Sequence, residues 1–171
     1  MSAKTQTPQA PVLDAESINL LERLSNAVAV SGDEGEVRAI VLEQVKPLAD
    51  EVKVDALGNV LATRKAKVDS APCVMLAAHM DEIGFMLVDE DEGGLYRFAT
   101  VGGIDVRQLV GKPVWVSKQH TPGIIGARPI HLTTREERGR SIPLDQLRID
   151  LGPGGKAKVG DRATFATSFR Q

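Results

Sequence analysis

The stretch Pro72-Cys73-Val74-Met75-Leu76-Ala77-Ala78-His79-Met80-Asp81-Glu82-Ile83-Gly84-Phe85 decides how the rest of the chain is read. Its first half is a continuous apolar run, the composition of a central strand covered on both faces. Its second half holds the only tight cluster of a histidine with carboxylates in the chain. The expectation is a buried strand whose carboxy-terminal end presents His79 and Asp81. Side chains alternate along an extended chain, so these two share a side. A neutral imidazole suits zinc or cobalt, and a carboxylate two residues on can hold its other ring nitrogen. The same residues also fit a strand-end histidine paired with an acid for packing, and the three-residue pattern alone does not choose. Cys73, inside the apolar run, reads as buried and inert.

Upstream the pattern is helical. From Asp14 onward, Ile18, Leu21, Leu24 and Val28 recur every three or four residues and make one apolar stripe. This helix is expected to end near Ser31-Gly32. Ser31 and Glu34 have the spacing of a capping box and should open a second helix. Its buried face would be Val37, Ile40, Val41, Val45 and Leu48, with Pro47 near the end, where a lost amide matters least. Residues 51–55 then alternate apolar and polar, Leu57-Gly58-Asn59 is a turn, and residues 60–63 return, which predicts a hairpin. Residues 64–71 read as a polar loop. Two helices on such a sheet make an α/β layer. Residues 1–13 are polar, carry Pro8 and Pro11, and are expected to be a disordered lead-in.

Downstream of the motif the character changes. Short strands are expected at 83–89, 95–101, 112–118, 123–127, 147–151 and 163–166, separated by Gly/Pro turns. That spacing predicts a small β-barrel or sandwich. Residues 133–139 are charged and read as a surface loop or single helical turn. Gly102-Gly103 reads as turn glycine, and no Gly-rich phosphate loop or nucleophile elbow is present.

Composition narrows the function. Across 171 residues the formal net charge is −2 and aromatics are 4%, which gives no electrostatic or stacking case for nucleic acid or an anionic membrane. A hydrophobic content of 42% allows a core, and no apolar run approaches a membrane span. One cysteine forbids an internal disulfide and fits a reducing compartment. With no apolar stretch resembling a secretory signal near the start, the expected setting is the cytoplasm.

Taken in order, several segments resemble the tetrahedral (TET) and glutamyl aminopeptidases, a family of dinuclear metallopeptidases. They are Ser31-Gly32-Asp33-Glu34, Asp55 with Leu57-Gly58-Asn59, residues 74–85, Val101-Gly102-Gly103-Ile104-Asp105, Gly123-Ile124-Ile125-Gly126, and Pro129-Ile130-His131-Leu132. Glu136-Glu137-Arg138, residues 147–152 and Val159-Gly160-Asp161 complete the set. The resemblance runs from about Ser17 to Phe169. It implies an α/β peptidase domain, of which residues 14–82 would be the amino-terminal part. Into it a barrel-like domain, residues 83–169, would be inserted for dimerisation and assembly of larger particles. His79 resembles a ligand of one metal and Asp81 the acid that orients it, while Glu82 belongs to the motif without an assigned role. The implied reaction removes amino-terminal residues from peptides with two divalent ions, zinc, cobalt or manganese.

The resemblance also implies what these residues lack. The family's bridging aspartate, paired glutamates, further aspartate and final histidine all follow the inserted domain, so here only one histidine ligand is expected. His120, in a Gln-His-Thr-Pro turn, reads as solvated, and His131 lies in a stretch that does not ligate metal in the family. Between Gly152 and Val159, where the family usually has a helical stretch, this chain has Pro153-Gly154-Gly155-Lys156. Two functional expectations follow: part of an aminopeptidase that is inactive alone and needs a complementary carboxy-terminal half, or a non-catalytic assembly module with a vestigial His79. Either is expected to self-associate through the barrel and to expose apolar surface between residues 14 and 78.

Overall fold

A computed structural model describes residues 13–136 and 139–170. The expected lead-in therefore lies outside the described residues except for Leu13, as do Glu137 and Arg138. Two helices come first. In α1 (Ala15–Asn26) the Asp14 side chain caps the start by accepting from the Ser17 amide at 2.8 Å. The helix stops at Asn26, five residues before the expected Ser31. Val28, Ala29 and Val30 leave it as extended, buried chain, a conformation that suits two β-branched residues. Helix α2 (Gly35–Val45) is followed by a 3₁₀ turn over Lys46–Leu48, where Pro47 ends the regular pattern. Arg23 joins the two helices through a forked pair to Glu43, at 3.0 and 2.5 Å.

The hairpin forms as read, with β1 (Glu51–Val54) antiparallel to β2 (Val60–Thr63). Asp55 organises its turn, accepting from the Leu57 and Asn59 amides at 2.9 Å each and from the Asn59 side chain at 2.8 Å.

The expected central strand does not form. Residues 71–80 take no regular secondary structure, and Leu76 is 94% exposed. An extended run becomes a strand only where neighbours take its amides and carbonyls, and among the described residues only the Ala71 amide at its start is bonded, to the Val68 carbonyl of its own loop. Cys73, on the same run, is accordingly exposed rather than buried. Of the expected α2 face only Val37 is buried, and Leu21, Leu48 and Leu61 are exposed. The apolar surface expected between residues 14 and 78 is therefore present.

Beyond the motif six antiparallel strands close into a barrel. They are β3 (Gly84–Asp91), β4 (Leu95–Val101), β5 (Pro113–Val116), β6 (Thr121–Gly126), β7 (Arg148–Asp150) and β8 (Arg162–Phe165), in the order β3-β4-β7-β6-β5-β8. Each matches an expected segment. Period-two alternation sends Phe85 and Leu87, Tyr96 and Phe98, Val114 and Val116, Ile125, Ile149 and Ala163 inward. Phe85 meets Phe98 and Phe165 edge to face, with ring centroids 5.2 and 5.1 Å apart. Burying each large side chain is worth roughly 1.5–3 kcal/mol, and closure leaves no free sheet edge. A bulge after Leu87 lets its N–H and C=O bond Asp161 and Gly160 instead of the ladder. Between Gly152 and Val159, where the resemblance implies a helical stretch, the chain makes a turn at Gly152–Gly155. The Tyr96 hydroxyl beneath it donates to the Ala157 carbonyl at 3.2 Å.

Candidate functional site

The site is built where the extended chain after α1 meets the residues just before β3. Val30, fully buried, forms a parallel bridge with Glu82. The Glu82 amide donates to the Ala29 carbonyl at 2.8 Å. The Glu82 carboxylate accepts from the Ala29 amide at 3.2 Å and from the Thr164 hydroxyl of β8 at 2.8 Å. One acid thus ties the helical part of the chain, the motif and the barrel together. Sequence reasoning gave Glu82 no role because its partners lie 53 and 82 positions away.

Gly84, which opens β3, allows this junction to close. A Cβ there would sit 2.6 Å from the Ala163 carbonyl oxygen and 2.6 Å from a Val30 methyl. The chain then turns at Val30-Ser31-Gly32-Asp33, with the Asp33 amide donating to the Val30 carbonyl at 2.8 Å. Gly32, at φ +85°, supplies the left-handed third position that this turn needs.

The turn aims Ser31 at the motif. The expected capping box is not made: α2 is preceded by Glu34, which makes no side-chain cap. The Ser31 hydroxyl instead donates to Asp81 Oδ2. That partner lies 50 residues away and is a charged acceptor, which makes a strong bond. His79 Nδ1 lies 2.9 Å from the Asp81 carbonyl oxygen and 3.2 Å from Asp81 Oδ1. A carbonyl oxygen only accepts, so Nδ1 carries a proton, and in a neutral ring Nε2 then keeps its lone pair. The Ser31 hydroxyl, ahead of a smaller contribution from His79, holds the Asp81 carboxyl below the usual carboxylate range. The structure therefore brings His79 and Asp81 together, with the imidazole 86% exposed.

The other two histidines are elsewhere. His120, read as solvated, bonds Glu36 of α2 at 2.6 Å across to the turn before β6. His131 is exposed in a 3₁₀ turn over Ile130–Leu132. Among the described residues no group of three or more His, Cys, Asp or Glu side chains is placed to hold a metal ion. A catalytic zinc takes three protein ligands. His79 suits one such position, but the residues present do not fit a complete centre.

Arg162 of β8 completes the surroundings, donating from Nε to the Ser31 carbonyl at 3.3 Å and from a terminal nitrogen to the Gly160 carbonyl at 3.1 Å. A family model described as M42 glutamyl aminopeptidase matches residues 58–170. The chain belongs to that family. Lysyl aminopeptidase of Pyrococcus furiosus is 34% identical over 161 residues, 88% of this chain and 46% of that protein. A TET aminopeptidase from a marine sediment Thaumarchaeota archaeon superposes with a TM-score of 0.82 at 34% identity, over 91% of this chain and 45% of that one. The TET1 peptidase of Pyrococcus horikoshii, described as able to assemble into a tetrahedron or a large octahedral shell, superposes at 0.73 with 32% identity, over 87% of this chain and 46% of that one. The chain thus spans about half the length of the M42 relatives it matches.

Proposed function

We propose that residues 14–82 contribute to a metal-dependent aminopeptidase domain and residues 83–169 to an assembly barrel inserted into it. In this reading His79 is one metal ligand and Asp81 orients it. The remaining ligands for two divalent ions, zinc, cobalt or manganese, come from the half of the relatives that this chain does not match. The substrate is a peptide, cleaved after its amino-terminal residue. The observation that carries the reading is the His79 ring, tied through Nδ1 to Asp81 and otherwise exposed, five residues before the barrel opens at Gly84. Such an orienting acid behind the ring is what a metal-ligating imidazole needs.

By itself the chain should be inactive. Purified protein with added zinc, cobalt or manganese is expected to release nothing from aminoacyl p-nitroanilides. Turnover by the chain alone that disappears in His79→Ala would overturn the claim that further ligands are required.

The second reading is an assembly module in which His79 has no catalytic part. The self-contained barrel and the exposed apolar run at residues 74–76 favour it. Both readings have the chain self-associate through the barrel, so light scattering should give a dimer or larger particle. A monomer at high concentration would contradict that shared element.

A further inference from the structure

We propose that Ser31 is a positioning residue for His79, and that the barrel holds Ser31 in place through Arg162. The His79 side chain is 86% exposed, so packing does not hold its ring. An exposed side chain without other restraint samples rotamers on the picosecond to nanosecond scale. The Nδ1 contacts to Asp81 are the restraint, and the carboxylate among them is itself 41% exposed. The terminal torsion of an aspartate is broad. Left alone, the Asp81 carboxylate would turn away from the imidazole much of the time. The Ser31 hydroxyl on Oδ2 stops that rotation and leaves Oδ1 facing Nδ1.

Ser31 is fixed in turn from three sides. Val30 before it is fully buried against the barrel, Gly32 after it sets the turn, and Arg162 on β8 holds its carbonyl. The path from β8 to the imidazole is therefore Arg162, Ser31, Asp81, His79, with one hydrogen bond at each of the first two steps and the Nδ1 contacts to the Asp81 carbonyl and carboxylate at the last. The barrel accordingly contributes to the candidate centre as well as to assembly. The importance of the path rests on the reading of His79 and Asp81 as a functional pair, whereas its existence does not.

The test is NMR relaxation of the His79 ring carbons in the full chain at pH 8, where a free imidazole is neutral. Wild-type protein should show a restrained ring with the proton on Nδ1. Ser31→Ala should lose part of that order as the carboxylate turns away, with Nδ1–H kept by the Asp81 carbonyl and the barrel amide spectrum retained. Ser31→Thr, which keeps a hydroxyl, should restore the order. Arg162→Gln reaches the same path from the barrel side and should loosen the ring without touching Ser31 or Asp81. His131, remote in sequence and exposed, should not respond to any of the three.

A ring equally ordered in Ser31→Ala and wild type would overturn the proposal, as would a Ser31→Thr ring as mobile as that of Ser31→Ala. Either result would leave the aminopeptidase reading standing. Conversely, a failure to find peptidase activity in any assembly would sink that reading and leave the ring result unchanged.

Discussion

Gly84→Ala tests the junction directly. The new methyl would lie 2.6 Å from the Ala163 carbonyl oxygen and 2.6 and 3.2 Å from the two Val30 methyls. The first neighbour is backbone in β8, which pairs with β3 through Phe85 and Met86, so no rotamer change relieves it. The second is a β-branched side chain with no exposed surface, stiff at χ1. Overpacking of this kind typically costs about 1–3 kcal/mol. Two simultaneous overlaps, one with backbone, place Gly84→Ala near 3 kcal/mol on that scale. With a urea slope of about 1.5 kcal/mol/M the midpoint should fall by about 2 M. Gly103→Ala is the control. No atom lies within 4 Å of its added Cβ and its φ is not left-handed, so it should be neutral or gain up to about 1 kcal/mol. Hydrogen exchange should also show Val28 to Ser31 released in Gly84→Ala. An unfolding free energy within about 0.5 kcal/mol of wild type would refute the packing described between Val30, β3 and β8.

Ile149, fully buried in β7, and Leu76, 94% exposed, should respond oppositely to truncation. Ile149→Ala should lose about 2–5 kcal/mol, and Leu76→Ala should stay within about 0.5 kcal/mol; equal losses in denaturant melts would contradict the unpaired state of residues 71–80. Cys73 should react with a soluble thiol reagent in the native protein as fast as in the unfolded one, since it is exposed; protection until unfolding would restore the buried reading. Asp55 has its carboxyl held below the usual range, first by the Asn59 side-chain amide and then by the Asn59 backbone N–H. Its folded pKa lies below the unfolded one, so its support of the hairpin is complete above about pH 4 and is lost as pH falls through the lower folded value. Exchange protection of the Asn59 amide should follow that loss and should be pH-independent over the same window in Asp55→Ala.

The barrel was legible because its signal is local. The strands from β3 to β8 alternate inward and outward residues over a few positions, with glycine or proline between except at β5–β6, where the expected Pro122-Gly123 turn lies within β6 and the chain turns at residues 117–120. The Asp55 turn was legible for the same reason. What could not be read locally was what depends on distant partners. Val28 continues the three-to-four spacing of Ile18, Leu21 and Leu24, yet it belongs to an extended segment that pairs with Glu82. Ser31 and Glu34 have the spacing of a capping box, but the hydroxyl finds Asp81 instead. The run before His79 has the composition of a central strand and lacks neighbours among the described residues. In the site, the His79 and Asp81 pair was visible from spacing alone. Ser31, Glu82, Thr164 and Arg162 were not, and the one local hint was the glycine that follows Ser31 after two β-branched valines.

The central claim is that this chain supplies a working His79 to an aminopeptidase centre whose other ligands lie in the unmatched half of its relatives. The most direct measurement is hydrolysis by a fusion of this chain to that half of the Pyrococcus furiosus lysyl aminopeptidase. The account predicts metal-dependent release of amino-terminal residues, lost in His79→Ala. A folded, metal-loaded fusion that hydrolyses nothing, or one indifferent to His79→Ala, would contradict it.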